Sequence, residues 1–267
     1  MGSVLPRLRF LVEPGRIETG TLLVLTLLAG AVGQPRPSQA QERQDSPYRI
    51  VRPPGDGPHP ALLFVSGCSG FGPHEAPNHY SRVADEFAAR GFVVVFVDYL
   101  GARGFQACAR RISPADIAPD ILAAAEYART LPFVLASDIS VIGWSMGGGG
   151  ALAAIGELPD DRPAPFQRAI AYYPACWTVR TPWRSKVPLL VLLAGRDDVS
   201  SNVACTELLK RVGEYHPIQV RMYPEARHAF DVRELPPLLP WRSGTTLGHD
   251  PNAAAAAWEE VKRFLGR

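Results

Sequence analysis

The run Val141-Ile142-Gly143-Trp144-Ser145-Met146-Gly147 constrains this chain more than any other. An apolar, β-branched stretch over Ile139–Ile142 ends in Gly-x-Ser-x-Gly, and a small-residue helical pattern, Ala151-Leu152-Ala153-Ala154-Ile155, follows. Strand, sharp turn and helix is the context that makes Gly-x-Ser-x-Gly a nucleophile elbow. Glycines two residues either side of Ser145 remove the Cβ atoms that would clash in so tight a turn, and the serine is expected in a strained backbone conformation. The helix behind it presents free N–H groups and the positive end of its dipole to the space above Oγ, where negative charge would be stabilised.

A nucleophilic serine needs a base, and the base an orienting acid. The strand pattern Val187–Leu193 runs into Ala194-Gly195-Arg196-Asp197-Asp198. The next, Ile218–Tyr223, runs into Pro224-Glu225-Ala226-Arg227-His228. An acid and a histidine therefore follow Ser145 in the order Ser, Asp, His, each just past the end of a strand, where open α/β sheets build their sites. Asp197 and Asp198 are adjacent, and only one of two neighbours can face His228; the other turns away or caps the helix expected over Asn202–Val212. The amide of Met146 is one candidate oxyanion donor. The other is expected in the glycine-rich stretch Ser66-Gly67-Cys68-Ser69-Gly70-Phe71-Gly72 after the strand run Pro60–Val65, with the main chain of Cys68 as the candidate.

These segments, with Asp98 followed by Arg103-Gly104, Tyr173-Pro174-Ala175-Cys176, Cys205 eight residues past Asp197, and Tyr223-Pro224-Glu225-Ala226-Arg227-His228-Ala229-Phe230-Asp231, resemble the dienelactone hydrolase family of α/β-hydrolases over roughly residues 47–267. The resemblance implies cofactor-free hydrolysis of carboxylic esters or lactones. It favours Asp197 as the acid through the spacing to Cys205, while Gly195, one residue closer than usual, keeps Asp198 open. It also suggests that Arg103 hydrogen-bonds near the site, at the edge of the substrate pocket, with a surface salt bridge as the alternative. Two departures stand out. The founding enzymes carry a cysteine nucleophile where this chain has Ser145, a weaker nucleophile that depends more on its base. They also carry a glutamate in the loop after the early strand, where Cys68-Ser69-Gly70 offers no carboxylate, which puts the dienelactone substrate itself in doubt. The alternative functions are a peptidase of the same fold and a non-catalytic binding protein that kept it.

Alternation of strand and helix continues along the chain. Tyr80–Arg90 reads as an amphipathic helix stopped by Gly91. Phe92–Val97 is a continuous apolar run, as a strand buried on both faces requires. Ser113-Pro114-Ala115-Asp116 opens a helix to about Arg129, and Asp250-Pro251 opens the last, ending near Leu265. A mostly parallel central sheet flanked by helices on both faces is expected. Phe71, Trp144, Trp177, Trp183 and Trp241 are candidates for the pocket wall, Trp144 foremost because it adjoins Ser145; plain core or loop packing is the alternative for the others. The proline-rich segment Leu235–Trp241 is expected to be an ordered irregular loop acting as a lid or wall. His74 and His79 flank Glu75, but no further ligand stands at a suitable spacing, so no metal centre is expected.

The N-terminus reads separately. Arg7, Arg9 and Arg16 precede the apolar stretch Thr21–Val32, and small residues lead to Ala40. Residues 1–40 are expected to be a secretory signal, cleaved or retained as an anchor, with 41–47 a polar tether and 48–267 a single catalytic domain. The apolar core is short for a membrane span. Export implies the bacterial periplasm or the extracellular space, with no stable span after processing. The net charge of +2 falls near neutral without Arg7, Arg9, Arg16, Arg36, Glu13 and Glu18, and no basic run or basic–aromatic stripe suggests nucleic acid. The expected partner is a small-molecule ester or lactone. Four cysteines in an exported chain suggest disulfides. Cys176 and Cys205 both fall on the carboxyl edge of the sheet and can pair, which leaves Cys68 with Cys108; four reduced thiols is the alternative.

Overall fold

A computed structural model describes residues 46–71, 79–108, 112–156, 165–178, 185–212, 217–241 and 244–266. All belong to one compact unit, Arg43–Arg267. The expected signal and most of the tether, together with His74, Glu75 and Trp183, lie outside the described residues.

The strands are β1 (Arg49–Val51), β2 (His59–Val65), β3 (Val93–Val97), β4 (Val134–Trp144), β5 (Arg168–Tyr172), β6 (Leu189–Ala194), β7 (Ile218–Tyr223), β8 (Leu239–Pro240) and β9 (Thr246–Leu247). The helices are α1 (His79–Ala88), α2 (Pro114–Thr130), α3 (Met146–Gly156), α4 (Asn202–Val212) and α5 (Pro251–Leu265). Seven strands form one sheet in the order β1-β3-β2-β4-β5-β6-β7. All neighbours are parallel except β1, which runs antiparallel along β3.

Alternation along the strands divides the core between two faces. Ala61, Leu63 and Val65 of β2 pack towards α2, α3 and α4 with Ile117, Ile121 and Leu208. Leu62 and Phe64 pack towards α1 and α5 with Phe87, Ala257 and Val261. This explains why β2 and β3 read as unbroken apolar runs: both faces are covered. The helix starts behave as their sequences demand. Ser113 and Asp116 form a reciprocal capping box before Pro114, and Asp250 accepts from the amides of Asn252 and Ala253 at the head of α5.

Three elements differ from expectation. β1 has only three residues and no pattern of its own; it exists because the edge of β3 offers backbone partners. β4 begins at Val134, well before the apolar run, and its first half is largely exposed. The segment Leu235–Trp241 is not wholly irregular: Leu239–Pro240 pairs with Thr246–Leu247, and the Trp241 amide donates to the Thr245 carbonyl at 2.7 Å. Proline is tolerated because β8 is an edge strand of this two-stranded sheet.

Chain direction reverses around β2, whose neighbours are β3 on one side and β4 on the other. A crevice opens at the carboxyl ends of the strands at such a switch point. The loop after β2 and the turn after β4 both end there.

Candidate active site

Ser145 sits between β4 and α3 with φ at +52°, a left-handed conformation that L-residues rarely adopt. Sterics dictate the flanking glycines. A Cβ on Gly143 would run into the backbone of Gly147, and one on Gly147 into the carbonyls of Val65 and Ser66. The turn is held by hydrogen bonds: the Ser145 amide donates to the Tyr172 carbonyl at 2.9 Å, and the Ser145 carbonyl accepts from the amides of Gly149 and Ala175, both at 3.0 Å. The glycine run continues into α3 for packing reasons, since Cβ atoms at Gly149 and Gly150 would overlap Pro114 and Ile117 of α2.

The three residues singled out as nucleophile, base and acid meet. His228 Nε2 lies 2.9 Å from Ser145 Oγ, and His228 Nδ1 lies 2.8 Å from Asp197 Oδ2. With Nδ1–H donating to the carboxylate, Nε2 is left to accept the serine hydroxyl proton. The Asp197 side chain is fully buried. Its second oxygen accepts the amides of Val199 at 2.9 Å and Ser200 at 2.8 Å, so the carboxylate is both desolvated and fixed. The neighbouring Asp198 faces away and accepts the amide and hydroxyl of Thr246 at 2.8 and 2.9 Å. Thr246 Oγ1 also accepts from Arg227 at 2.7 Å, and the His228 carbonyl accepts from the Gly248 amide at 3.1 Å. The β8–β9 hairpin thus braces both the acid turn and the histidine turn, a part of the site that sequence reading missed.

The loop after β2 closes over the serine. A Cβ on Gly67 would lie 3.4 Å from the Ser145 Cβ. The Gly67 peptide is clamped on both sides: its amide donates to the Tyr80 hydroxyl at 2.9 Å, and its carbonyl accepts from the Tyr99 hydroxyl at 3.1 Å. Cys68 and Met146 both border the cavity in front of Ser145. As the first residue of α3, Met146 has no carbonyl one helical turn back within the helix for its amide. Cys68 is disulfide-bonded to Cys108, and the Cys108 amide donates to the Cys68 carbonyl at 2.7 Å. Cys176 is bonded to Cys205, tying the loop that carries Ala175 to α4.

The cavity measures about 570 Å³ and reaches from Ser145 and His228 to Ile112, Trp177, Leu235 and Trp241. No Asp, Glu, Lys or Arg stands among its described lining residues. Trp144 lines it but is buried, stacked on Tyr172. Two expected pocket residues are elsewhere. Phe71 packs edge-on against Tyr80 and Phe96. Arg103 turns to α2, where it pairs with Asp120 at 2.6 Å and donates to the Tyr99 and Asp116 carbonyls. His79 is buried beside Asp231, Arg82 and Glu234. Among the described residues no cluster of three or more His, Cys, Asp or Glu could hold a metal ion, and no helix is long and apolar enough to cross a membrane.

The sheet order, the elbow and the loops at its carboxyl edge define an α/β-hydrolase. More narrowly, the Dienelactone hydrolase family profile matches residues 48–267, and the chain belongs to that family. It is a hydrolase acting on esters. Solved structures of similar fold include a propionate-bound thermophilic esterase from Thermogutta terrifontis (TM-score 0.57, 17% identity, 82% of this chain and 88% of that one). Another is a promiscuous dienelactone hydrolase-like phosphotriesterase from metagenomic libraries (TM-score 0.62, 18% identity, 79% and 87%). A third, dipeptidyl peptidase 4 of Porphyromonas gingivalis, aligns over only 32% of its length (TM-score 0.58, 19% identity, 81% of this chain). No curated protein matches the chain significantly.

Proposed function

We propose that the protein is a serine esterase that works through an acyl-enzyme on uncharged carboxylic esters or lactones. The carrying observation is the aligned relay from Ser145 Oγ through His228 to the buried Asp197 carboxylate. Ser145 Oγ attacks the ester carbonyl carbon as His228 Nε2 takes the hydroxyl proton. The carbonyl π electrons move to oxygen, and the amides of Cys68 and Met146 stabilise that oxyanion. Asp197 holds the Nδ1–H tautomer and stabilises the imidazolium. Collapse of the intermediate expels the alkoxide, which receives the proton from His228. Water then attacks the acyl carbon as His228 Nε2 takes its proton; the second intermediate collapses by breaking the bond to Ser145 Oγ, which regains that proton from His228, and the carboxylic acid is released. The cavity is largely apolar and its described lining residues include no Asp, Glu, Lys or Arg, which supports neutral acyl and alcohol groups as substrates.

The two disulfides support an oxidising compartment, and with the basic-apolar N-terminal pattern they favour export, with residues 1–40 as the signal and 48–267 as the catalytic domain. A panel of p-nitrophenyl acyl esters, neutral lactones and peptide amides, assayed with wild type and Ser145→Ala, tests the reading. Serine-dependent ester or lactone turnover is expected. Turnover of peptide amides alone would favour a peptidase, and none at all on folded protein would favour a binding protein.

A further inference from the structure

We infer that Asp231 is a positioning residue that pins the three strained corners of the site at once; the inference rests on the serine esterase reading above. The non-glycine residues with positive φ among the described residues are Ser145 (+52°), Tyr173 (+34°) and Ala229 (+63°). All three surround the relay. Ser145 carries the nucleophile, the Tyr173 ring lies 4.5 Å from the His228 ring, and Ala229 follows His228 in sequence. Such conformations persist only where surrounding contacts over-determine them.

One carboxylate touches all three segments. Asp231 Oδ2 accepts the indole N–H of Trp144, the residue before Ser145, at 2.8 Å. Asp231 Oδ1 accepts the Tyr173 hydroxyl at 2.6 Å. Asp231 itself stands two residues past Ala229 on the chain that bears His228. Burial, and then the Asp231 charge, push the Tyr173 phenol well above its usual range, so it stays the donor. Phe230, between Ala229 and Asp231, is fully buried, and its carbonyl accepts from the Asp250 amide at 3.0 Å. The chain after the histidine therefore cannot drift without breaking the carboxylate's two bonds. Asp231 lies behind Trp144 and Tyr173 and is not among the described residues lining the cavity at Ser145, so it acts through others and never on substrate.

The chemistry requires an anion that accepts twice. Asn at this position accepts with one oxygen and turns an NH2 towards a donor. The test compares Asp231→Asn, Tyr173→Phe and their double variant on a p-nitrophenyl ester, with melting temperature and the low-field proton resonance of His228 Nδ1–H followed by NMR. The expected result is kcat lowered by about 100-fold in Asp231→Asn with KM nearly unchanged, as for a misplaced reacting group. Tyr173→Phe should lose less, the double variant no more than Asp231→Asn, and the resonance should shift or broaden. Folded Asp231→Asn with kcat within about twofold of wild type and an unmoved resonance would overturn the inference, as would a rise in KM alone. Should Asp231→Asn fail to fold, Tyr173→Phe decides by the same readouts, since it keeps the buried ring. The resonance needs no turnover, so a wild type inactive on every ester sinks the esterase reading while leaving this one separately decided.

Discussion

Asp198 accepts two hydrogen bonds from Thr246, 48 residues away, at 2.8 and 2.9 Å. That engagement separates it from Asp197, whose carboxylate is buried against His228. Replacing Asp197 by Ala should lower kcat by about 10,000-fold, by loss of the productive histidine tautomer. Replacing Asp198 should cost activity only a fewfold, through a looser β8–β9 hairpin. Steady-state kinetics of the two variants checks the assignment; equal losses would contradict it.

The elbow makes a steric prediction. Gly143→Ala places a methyl against the Gly147 backbone, which cannot yield as a flexible side chain would. Overpacking of this kind costs about 1–3 kcal/mol, and Ser145 should shift with its turn. Urea unfolding and ester turnover should both fall.

The disulfides close segments of 40 and 29 residues. Removing either pair by Cys→Ser should cost about 4 kcal/mol in the chain-entropy model, read from denaturant midpoints. The two removals should differ in activity. Loss of Cys68–Cys108 frees the candidate oxyanion loop and should lower kcat more than loss of Cys176–Cys205, measured on the folded fraction.

His79 supplies a pH prediction. Burial lowers its pKa; the nearby Asp231, Glu234 and Glu86 oppose that and Arg82 adds to it. A histidine neutral in the fold but free to protonate when unfolded contributes its full stability above the unfolded value of about 6.5. As pH falls from there towards the lowered folded value the unfolded chain binds the extra proton, and that stability is lost. Wild type should therefore lose unfolding free energy between pH 7 and 5 more steeply than His79→Gln, by denaturant titration at each pH.

Much of this was legible in the chain. The bounds of α4 and β7, and the start of α5 at Asp250-Pro251, follow from capping residues and apolar periodicity, and they match the structure. The order of Ser145, Asp197 and His228 at successive strand ends could be read because a parallel sheet brings those ends to one edge. The choice between Asp197 and Asp198 could not be settled from local residues, since Thr246 decides where Asp198 points. The alternatives for Phe71 and Arg103 could not be decided for a similar reason: both stand in loops near the edge, but their directions depend on Phe96, Tyr80 and Asp120, which give Phe71 a packing role and Arg103 a salt bridge. Asp231 belonged to a recognisable motif, yet its two donors come from β4 and the loop after β5, which no spacing announces.

The central claim is that Ser145 is an activated nucleophile. Labelling the protein with a fluorophosphonate, followed by intact mass and peptide mapping, tests it most directly. The account predicts a single adduct on the peptide containing Ser145, absent in Ser145→Ala and slowed at least about 1000-fold in His228→Ala, because an isolated hydroxyl is a poor nucleophile at neutral pH. A well-folded wild type that takes no adduct, or takes it on another residue, would contradict the account.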